Sequence, residues 1–128
     1  NLEGTLLKPN MVLSGKDASI RASSEEVAEK TIACFKRTVP AAIPGVVFLS
    51  GGQSDEEATV NLNAINQTAK TVGVPWEMSF SYGRGLQAAP LKAWSGQAAN
   101  IEKAQEAYYH RARVTSAARG GIYSQEME

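Results

Sequence analysis

Lys8, the triplet Ser50-Gly51-Gly52 and the turn Ser81-Tyr82-Gly83-Arg84 are the residues whose types and spacing could do chemistry. Lys8 closes the apolar run Leu2-Glu3-Gly4-Thr5-Leu6-Leu7 and is followed at once by Pro9. A lysine at the rim of a low-dielectric pocket loses its proton near neutral pH, because desolvation disfavours the ammonium form. Its free amine can then attack a carbonyl and form a Schiff base. A lone strand-end lysine more often only carries charge into solvent, so Lys8 needs support from elsewhere. Ser50-Gly51-Gly52 can supply it. Glycine admits positive φ and has no side chain to block approach, so such a loop can turn several backbone N–H groups toward one anion. A helix opening at Ser54 would add its positive end. Arg84 offers a planar, permanently charged fork to the same anion, Gly83 clears space and Ser81 brings a hydroxyl. One Gly-Gly pair is usually an ordinary turn. Two such loops in succession, with a lysine ahead of them, point to a phosphorylated carbonyl substrate.

The elements that must position these residues repeat with one rhythm. The run ending at Lys8 reads as a strand, and Val12 to Ala22 as a polar connection. Ser23, three residues ahead of Glu26, forms a capping box that starts a helix with Val27, Ala28, Thr31, Ile32, Phe35 and Val39 on one face. Gly45-Val46-Val47-Phe48-Leu49 is continuously apolar and of strand length. Ser54 and Glu57 form a second capping box, and that helix runs to about Ala69 with Ala58, Leu62 and Ile65 inward. Trp76 to Ser81 alternates, with Trp76, Met78 and Phe80 on an apolar face and Glu77, Ser79 and Ser81 on a polar one that should line an interior or a site. A short helix around Leu86 to Trp94 follows, in which Pro90 is tolerable only within the first turn. A long helix from about Gln97 to Ala118 carries Ile101, Ala104, Tyr108 and Ala112 as its buried stripe, continued by the less apolar Thr115, and stops at Gly120-Gly121. Ile122 to Glu128 reads as a short, loosely ordered tail.

Three strand-loop-helix units in succession indicate an α/β protein with parallel strands and right-handed crossovers. A closed eightfold barrel takes ~250 residues, which three units cannot supply. The chain opens inside a strand and therefore reads as the carboxyl-terminal part of a (β/α)8 TIM barrel, in preference to a complete three-stranded open sheet. Active sites of such barrels sit at the carboxyl ends of the strands, and phosphate commonly binds at the last two strand-to-helix loops. Lys8, Ser50-Gly51-Gly52 and Ser81 to Arg84 all occupy that position.

Composition narrows the function classes. With 43% hydrophobic and 20% charged residues among 128, the chain can bury a globular core. Thirteen basic and thirteen acidic residues cancel, leaving no field to hold nucleic acid or an anionic membrane. No apolar run approaches the roughly 20 residues of a membrane span, and the chain reads as cytoplasmic. One cysteine, Cys34, and one histidine, His110, cannot assemble the usual zinc sites. Cys34 falls in an apolar helical pattern and reads as a buried inert thiol, and His110 as an exposed bystander.

Leu2-Glu3-Gly4-Thr5-Leu6-Leu7-Lys8-Pro9-Asn10-Met11, Arg37-Thr38-Val39-Pro40-Ala41-Ala42 with Pro44-Gly45, and Phe48-Leu49-Ser50-Gly51-Gly52-Gln53-Ser54 with Glu57-Ala58-Thr59 carry a specific resemblance. So do Asn61-Leu62-Asn63-Ala64-Ile65-Asn66 and Phe80-Ser81-Tyr82-Gly83-Arg84. Over nearly its whole length the chain resembles the class I fructose-1,6-bisphosphate aldolases. The resemblance implies a (β/α)8 barrel, usually a homotetramer, that reversibly cleaves a sugar bisphosphate, fructose 1,6-bisphosphate, to dihydroxyacetone phosphate and glyceraldehyde 3-phosphate, with no metal or other cofactor. It makes residues 1–128 the carboxyl-terminal portion of one barrel domain, holding strands six to eight. Lys8 matches the lysine that forms the imine. Ser50, Gly51 and Gly52 match the loop for the ketose C1 phosphate, and Ser81, Gly83 and Arg84 match its partner loop. The family's acid and base carboxylates lie on earlier strands, with no counterparts here. Three departures stand out. Gly85 replaces the alanine of many members, a change expected to be neutral. Gln67 to Val74 is expected to be a lengthened surface loop. The tail is short, so Tyr123 does not inherit the role of the terminal tyrosine found in many eukaryotic members. A transaldolase-like Schiff-base barrel is the alternative enzyme. A piece that is inactive on its own, serving as a phosphate-binding or oligomer-interface element, is the alternative outside catalysis.

Overall fold

Two serines start the first two helices as their spacing to glutamate predicts. In a computed structural model, which describes residues 1–128, the Ser23 hydroxyl accepts the Glu26 N–H at 3.3 Å and opens α1 (Ser24–Thr38). The Ser54 hydroxyl accepts the Glu57 N–H at 3.0 Å and opens α2 (Asp55–Val72). Helix α2 passes the expected end at Ala69 and stops at Gly73, whose φ is 69°. Most of the Gln67–Val74 segment, expected to be a surface loop, is therefore helix: no residue from Ala69 to Val72 breaks the pattern, and Gly73 is the first that does.

Strands β1 (Leu6–Leu7), β2 (Gly45–Phe48) and β3 (Glu77–Phe80) form a parallel sheet in that order. Leu7 lies opposite Val46, Val46 opposite Met78, and Phe48 opposite Phe80. The strand expected from Leu2 is shorter, because Leu2–Gly4 form a 3-10 turn. Pairing begins only where Leu6 meets Gly45, the first residue of β2, so residues 2–4 have no partner to extend against. The ladder continues past the other end, with the Leu49 N–H donating to the Pro9 carbonyl at 3.0 Å and the Ser81 N–H to the Phe48 carbonyl at 2.8 Å. Pro9 lacks an N–H but sits on an edge strand, where no ladder bond is lost.

Val46, Phe48 and Met78 face the helices and pack with Ile32, Phe35, Leu62 and Ile65 in the core. Phe35 stacks on Phe48 at 5.7 Å between centroids and meets Trp76 edge-on at 6.2 Å, while the Trp76 indole N–H donates to the Pro40 carbonyl at 3.0 Å. Cys34, expected to be buried, is exposed, because the inward arc of α1 is filled by Thr31, Ile32 and Phe35.

Helix α3 (Arg84–Trp94) starts earlier than expected, so Pro90 is its seventh residue and lies inside it. The proline removes one intrahelical donor. Packing of α3 against α4 (Ile101–Arg119) holds the helix together across that gap. In α4 the expected buried stripe holds at Thr115 and is misplaced toward the amino end. Ile101 and Tyr108 are 47% and 49% exposed, and the buried residues are Arg111, Val114, Thr115 and Ala118. The carboxyl half of α4 crosses α2, and a buried arginine hides that stripe from a hydrophobic pattern.

The tail is fastened where a loose end was expected. Gly121, at φ 66°, lets the Ile122 N–H reach back to the Ala117 carbonyl at 3.1 Å, and Tyr123 is buried with its N–H on Asn63 Oδ1 at 3.0 Å. The Tyr123 hydroxyl donates to Glu128 at 3.0 Å, and Glu128 accepts from Arg111. Burial would raise the Glu128 carboxyl, but hydrogen bonds from Arg111 and Tyr123 outweigh it and hold it below the ordinary carboxylate range. Burial, together with the Glu128 carboxylate, pushes the Tyr123 phenol from 10 up to about 12. A depressed carboxyl stabilises the docked tail above its unfolded pKa and loses that contribution as pH falls through the folded one. A raised phenol contributes fully below pH 10 and loses it on the way to about 12. Hydrogen exchange at the Tyr123 amide should therefore speed up at both extremes beyond its intrinsic pH dependence, and Tyr123→Phe should abolish the alkaline arm and weaken the acid one, because Glu128 keeps Arg111 but loses the Tyr123 bond.

Candidate phosphate and Schiff-base site

Parallel order brings the three chemistry-bearing segments to one edge of the sheet. Lys8 follows β1, Ser50-Gly51-Gly52 follow β2, and Ser81 to Arg84 follow β3. Continuing the register by one residue from Leu7, Val46 and Met78 places Lys8 level with Val47 and Ser79. Leu7, Val46 and Met78 face the helical core, so alternation turns Lys8 to the opposite face, where it is exposed. That is the face on which Glu77, Ser79 and Ser81 stand.

The loop after β2 is built around Gln53. Its backbone N–H and its side-chain amide both donate to the Ser50 carbonyl, at 3.0 and 2.9 Å, and Asn61 on α2 donates to the Gln53 side-chain oxygen at 2.7 Å. These buried bonds hold Gly51 at φ 59° and Gly52 at φ 82°, and neither glycine amide has a partner in the protein. A Cβ at Gly51 would lie 2.4 Å from Asn10 Oδ1, so the end of β1 presses directly on this loop.

Helix α3 supplies the positive end. Its N-cap is Gly83, which makes no side-chain bond, and the Arg84 and Gly85 amides are unpaired. The expectation that α2 would do this is corrected by its capping and charge: Ser54 satisfies the Glu57 amide, and Asp55, Glu56 and Glu57 in the first turn offset the dipole. The first turn of α3 carries no acidic residue, and it carries Arg84, which is exposed and in none of the ion pairs. The two loops meet at Gly85. A Cβ there would stand 3.1 Å from that of Ser50, close enough that Ser50 would have to give by a few tenths of an ångström.

Tyr82 locks the second loop to the scaffold. Its ring is buried against Phe80 at 5.5 Å, and its hydroxyl donates to the Ala58 carbonyl on α2 at 2.9 Å, with burial pushing the phenol well up. Tyr82→Phe removes that bond alone and should cost about 1 kcal/mol in urea unfolding of the full-length protein. No group of three or more His, Cys, Asp or Glu side chains converges as a metal site, and no helix is long and apolar enough to cross a membrane. The arrangement can hold a phosphate dianion between two neighbouring loops, with an amine on the adjoining strand.

A family model of class-I fructose-bisphosphate aldolase matches residues 1–128. The chain belongs to that family. It is 57% identical over 122 residues to a cytosolic fructose-bisphosphate aldolase of Arabidopsis thaliana, covering 95% of this chain and 30% of the plant protein. It is 52% identical over 125 residues to the Dictyostelium discoideum fructose-bisphosphate aldolase, covering 98% of this chain and 34% of that one. Among solved structures it superposes on fructose-bisphosphate aldolase from Plasmodium falciparum, crystallised with TRAP and a small-molecule inhibitor, with a TM-score of 0.90 at 50% identity, over 96% of this chain and 35% of that chain. The chain thus spans about a third of the length of the aldolases it matches. Its α/β architecture is that of the carboxyl-terminal part of the aldolase barrel.

Within this aldolase chain, Ser50, Gly51, Gly52, Ser81, Gly83 and Arg84 fall in two adjoining loops, and Lys8 ends the neighbouring strand. Sequence reasoning missed Tyr82, Gln53 and Asn61 as supports. A buried Gln-Asn pair at i and i+8 leaves no periodic signal. His110 lies 3.7 Å from Glu128 on the tail, within a group separate from these loops.

Proposed function

We propose that residues 1–128 are the carboxyl-terminal portion of one aldolase barrel domain, and that the full-length enzyme reversibly cleaves fructose 1,6-bisphosphate to dihydroxyacetone phosphate and glyceraldehyde 3-phosphate. The reading is carried by one observation: Lys8 and two loops with unpaired amides end neighbouring parallel strands at the same sheet edge. Ser50, Gly51 and Gly52, with Ser81, Gly83 and Arg84, hold the ketose C1 phosphate. Charge-assisted bonds to Arg84 and free amides fix that end of the substrate. Lys8 attacks the C2 carbonyl, and the carbinolamine loses water to give a protonated imine. A base outside residues 1–128 takes the C4 hydroxyl proton, and the C3–C4 electron pair moves into the imine. Glyceraldehyde 3-phosphate leaves, C3 of the enamine is protonated, and hydrolysis returns dihydroxyacetone phosphate and the free amine. The imine is the electron sink, so the chemistry calls for no metal or cofactor.

The names of relatives, cytosolic in Arabidopsis thaliana and cytoplasmic in Cicer arietinum, favour a cytoplasmic enzyme, and assembly as a homotetramer rests on the family resemblance alone. Residues 1–128 alone should cleave nothing, because the acid and base groups lie elsewhere and the isolated sheet exposes edges at both β1 and β3. Assaying the full-length protein on fructose 1,6-bisphosphate and on sedoheptulose phosphates tests the substrate. Turnover of the first is expected, and exclusive turnover of the second would replace this reading with a transaldolase-like one.

A further inference from the structure

We propose that Gln53, held in turn by Asn61, is the positioning residue that decides which side of the Ser50–Gly51 peptide faces a bound phosphate, an inference that rests on the phosphate reading above. The Ser50 carbonyl accepts twice from Gln53, from its backbone N–H at 3.0 Å and from its side-chain Nε2 at 2.9 Å. A trans peptide sets its C=O and N–H on opposite sides. Drawing the Ser50 carbonyl toward Gln53 therefore points the Gly51 N–H the other way, away from the buried amides, and that N–H has no partner in the protein. Glycines at φ 59° and 82° offer no side chain that would oppose a flip of this peptide. A flipped peptide would show an anion a carbonyl oxygen in place of a donor.

Gln53 is itself held from two further directions. Its Nε2 also donates to Met11 Sδ at 3.7 Å, three residues beyond Lys8, and its Oε1 accepts from Asn61 Nδ2 on α2 at 2.7 Å. Gln53 and Asn61 are 8% and 5% exposed, so water does not compete for these bonds. One side chain thus ties the glycine loop to α2 and to the segment that follows Lys8. The backbone bond from Gln53 already satisfies the Ser50 carbonyl, and a second bond to it is not required to close the turn. Nor does stability call for a buried amide pair, because apolar groups of the same shape can replace both partners at little net cost. What an apolar pair cannot do is hold a carbonyl in one direction.

The experiment measures kcat and KM for fructose 1,6-bisphosphate, competitive inhibition by inorganic phosphate, and a thermal melt. It compares the full-length protein with the double variant Gln53→Met, Asn61→Leu and with Gln53→Glu. The double variant removes both amides together and should melt close to the unmutated protein, while KM and the phosphate inhibition constant each rise roughly 10-fold. Its kcat should stay within about twofold, because the lost contact binds ground and transition states alike. Gln53→Glu keeps the acceptor for Asn61 and loses the donor, so at neutral pH its carboxylate repels the Ser50 carbonyl. Burial raises the pKa of a carboxyl placed there. The KM of Gln53→Glu, relative to the unmutated protein at the same pH, should therefore fall as pH is lowered and the carboxyl regains a proton to donate. A support for folding alone would lower the melt and leave both KM and that pH profile unmoved. Unmutated KM in a folded double variant would overturn the proposal, and so would a KM ratio for Gln53→Glu that does not change with pH, which decides the matter if the double variant fails to fold. Failure of inorganic phosphate to compete in the unmutated protein would instead sink the phosphate reading on which the proposal stands.

Discussion

Replacing Lys8 with methionine in the full-length enzyme should lower kcat for fructose 1,6-bisphosphate cleavage by about four orders of magnitude or more, with the fold intact. The loss is large because the imine is the only electron sink in the proposed route, and methionine keeps the length of the side chain without a nucleophile. The fold should survive because Lys8 makes no ion pair, lies outside the hydrophobic core of these residues and sits past the last residue of β1. Steady-state kinetics with a thermal melt of the same preparation checks both halves. Appreciable turnover in a folded variant would remove Lys8 from the chemistry.

Arg84→Ala should lower kcat/KM by roughly 100-fold or more, chiefly through KM, since a fully charged fork to a phosphate is replaced by nothing. The first turn of α3 would keep its unpaired amides, and Gly83 makes no side-chain cap that the substitution could disturb. Stability should therefore change by no more than about 0.5 kcal/mol, as for exposed positions generally. Arg84→Lys tests the geometry apart from the charge. A point charge recovers the attraction without the planar fork, and part of the loss should remain. Equal affinity in Arg84→Ala would take this residue out of the phosphate site.

Where one chemical rule decides the local structure, the residues of this chain announce it. Ser23 and Ser54 cap helices because a serine three residues ahead of glutamate satisfies orphan amides in any context. The alternation of Trp76 to Ser81 gives a strand with one apolar and one polar face for the same reason. Positions decided by partners distant in sequence were hidden. The run from Leu2 reads as a strand, but Gly45 determines where pairing begins. The buried stripe of α4 depends on Arg111, which reaches across to Thr59 at 2.8 Å and the Asp55 carbonyl at 3.3 Å on α2, partners 52 and 56 residues away. Tyr123 was assigned to a loose tail because its partners, Asn63 and Glu128, belong to a helix and a terminus that no periodicity connects.

The site shows the same division. Gly51-Gly52 and Gly83 are legible as turns that end successive strands, and it is their recurrence at the same position in two neighbouring units that sets them apart from ordinary turns. Which helix would lend its positive end was not legible, because a capping box marks a helix start and at the same time uses up the amides that an anion needs. Serine caps α2 and three acidic residues follow, whereas α3 begins at a bare glycine and keeps its donors free.

The central claim is covalent, so the most direct measurement is covalent as well. The full-length protein is incubated with dihydroxyacetone phosphate, reduced with borohydride, digested and mapped by mass spectrometry. The account predicts one stable adduct of the reduced triose phosphate on the peptide carrying Lys8, absent when borohydride is omitted and weakened by inorganic phosphate competing at Ser50, Gly51, Gly52 and Arg84. An unlabelled Lys8 in protein that turns over substrate, or an adduct confined to another lysine, would contradict it.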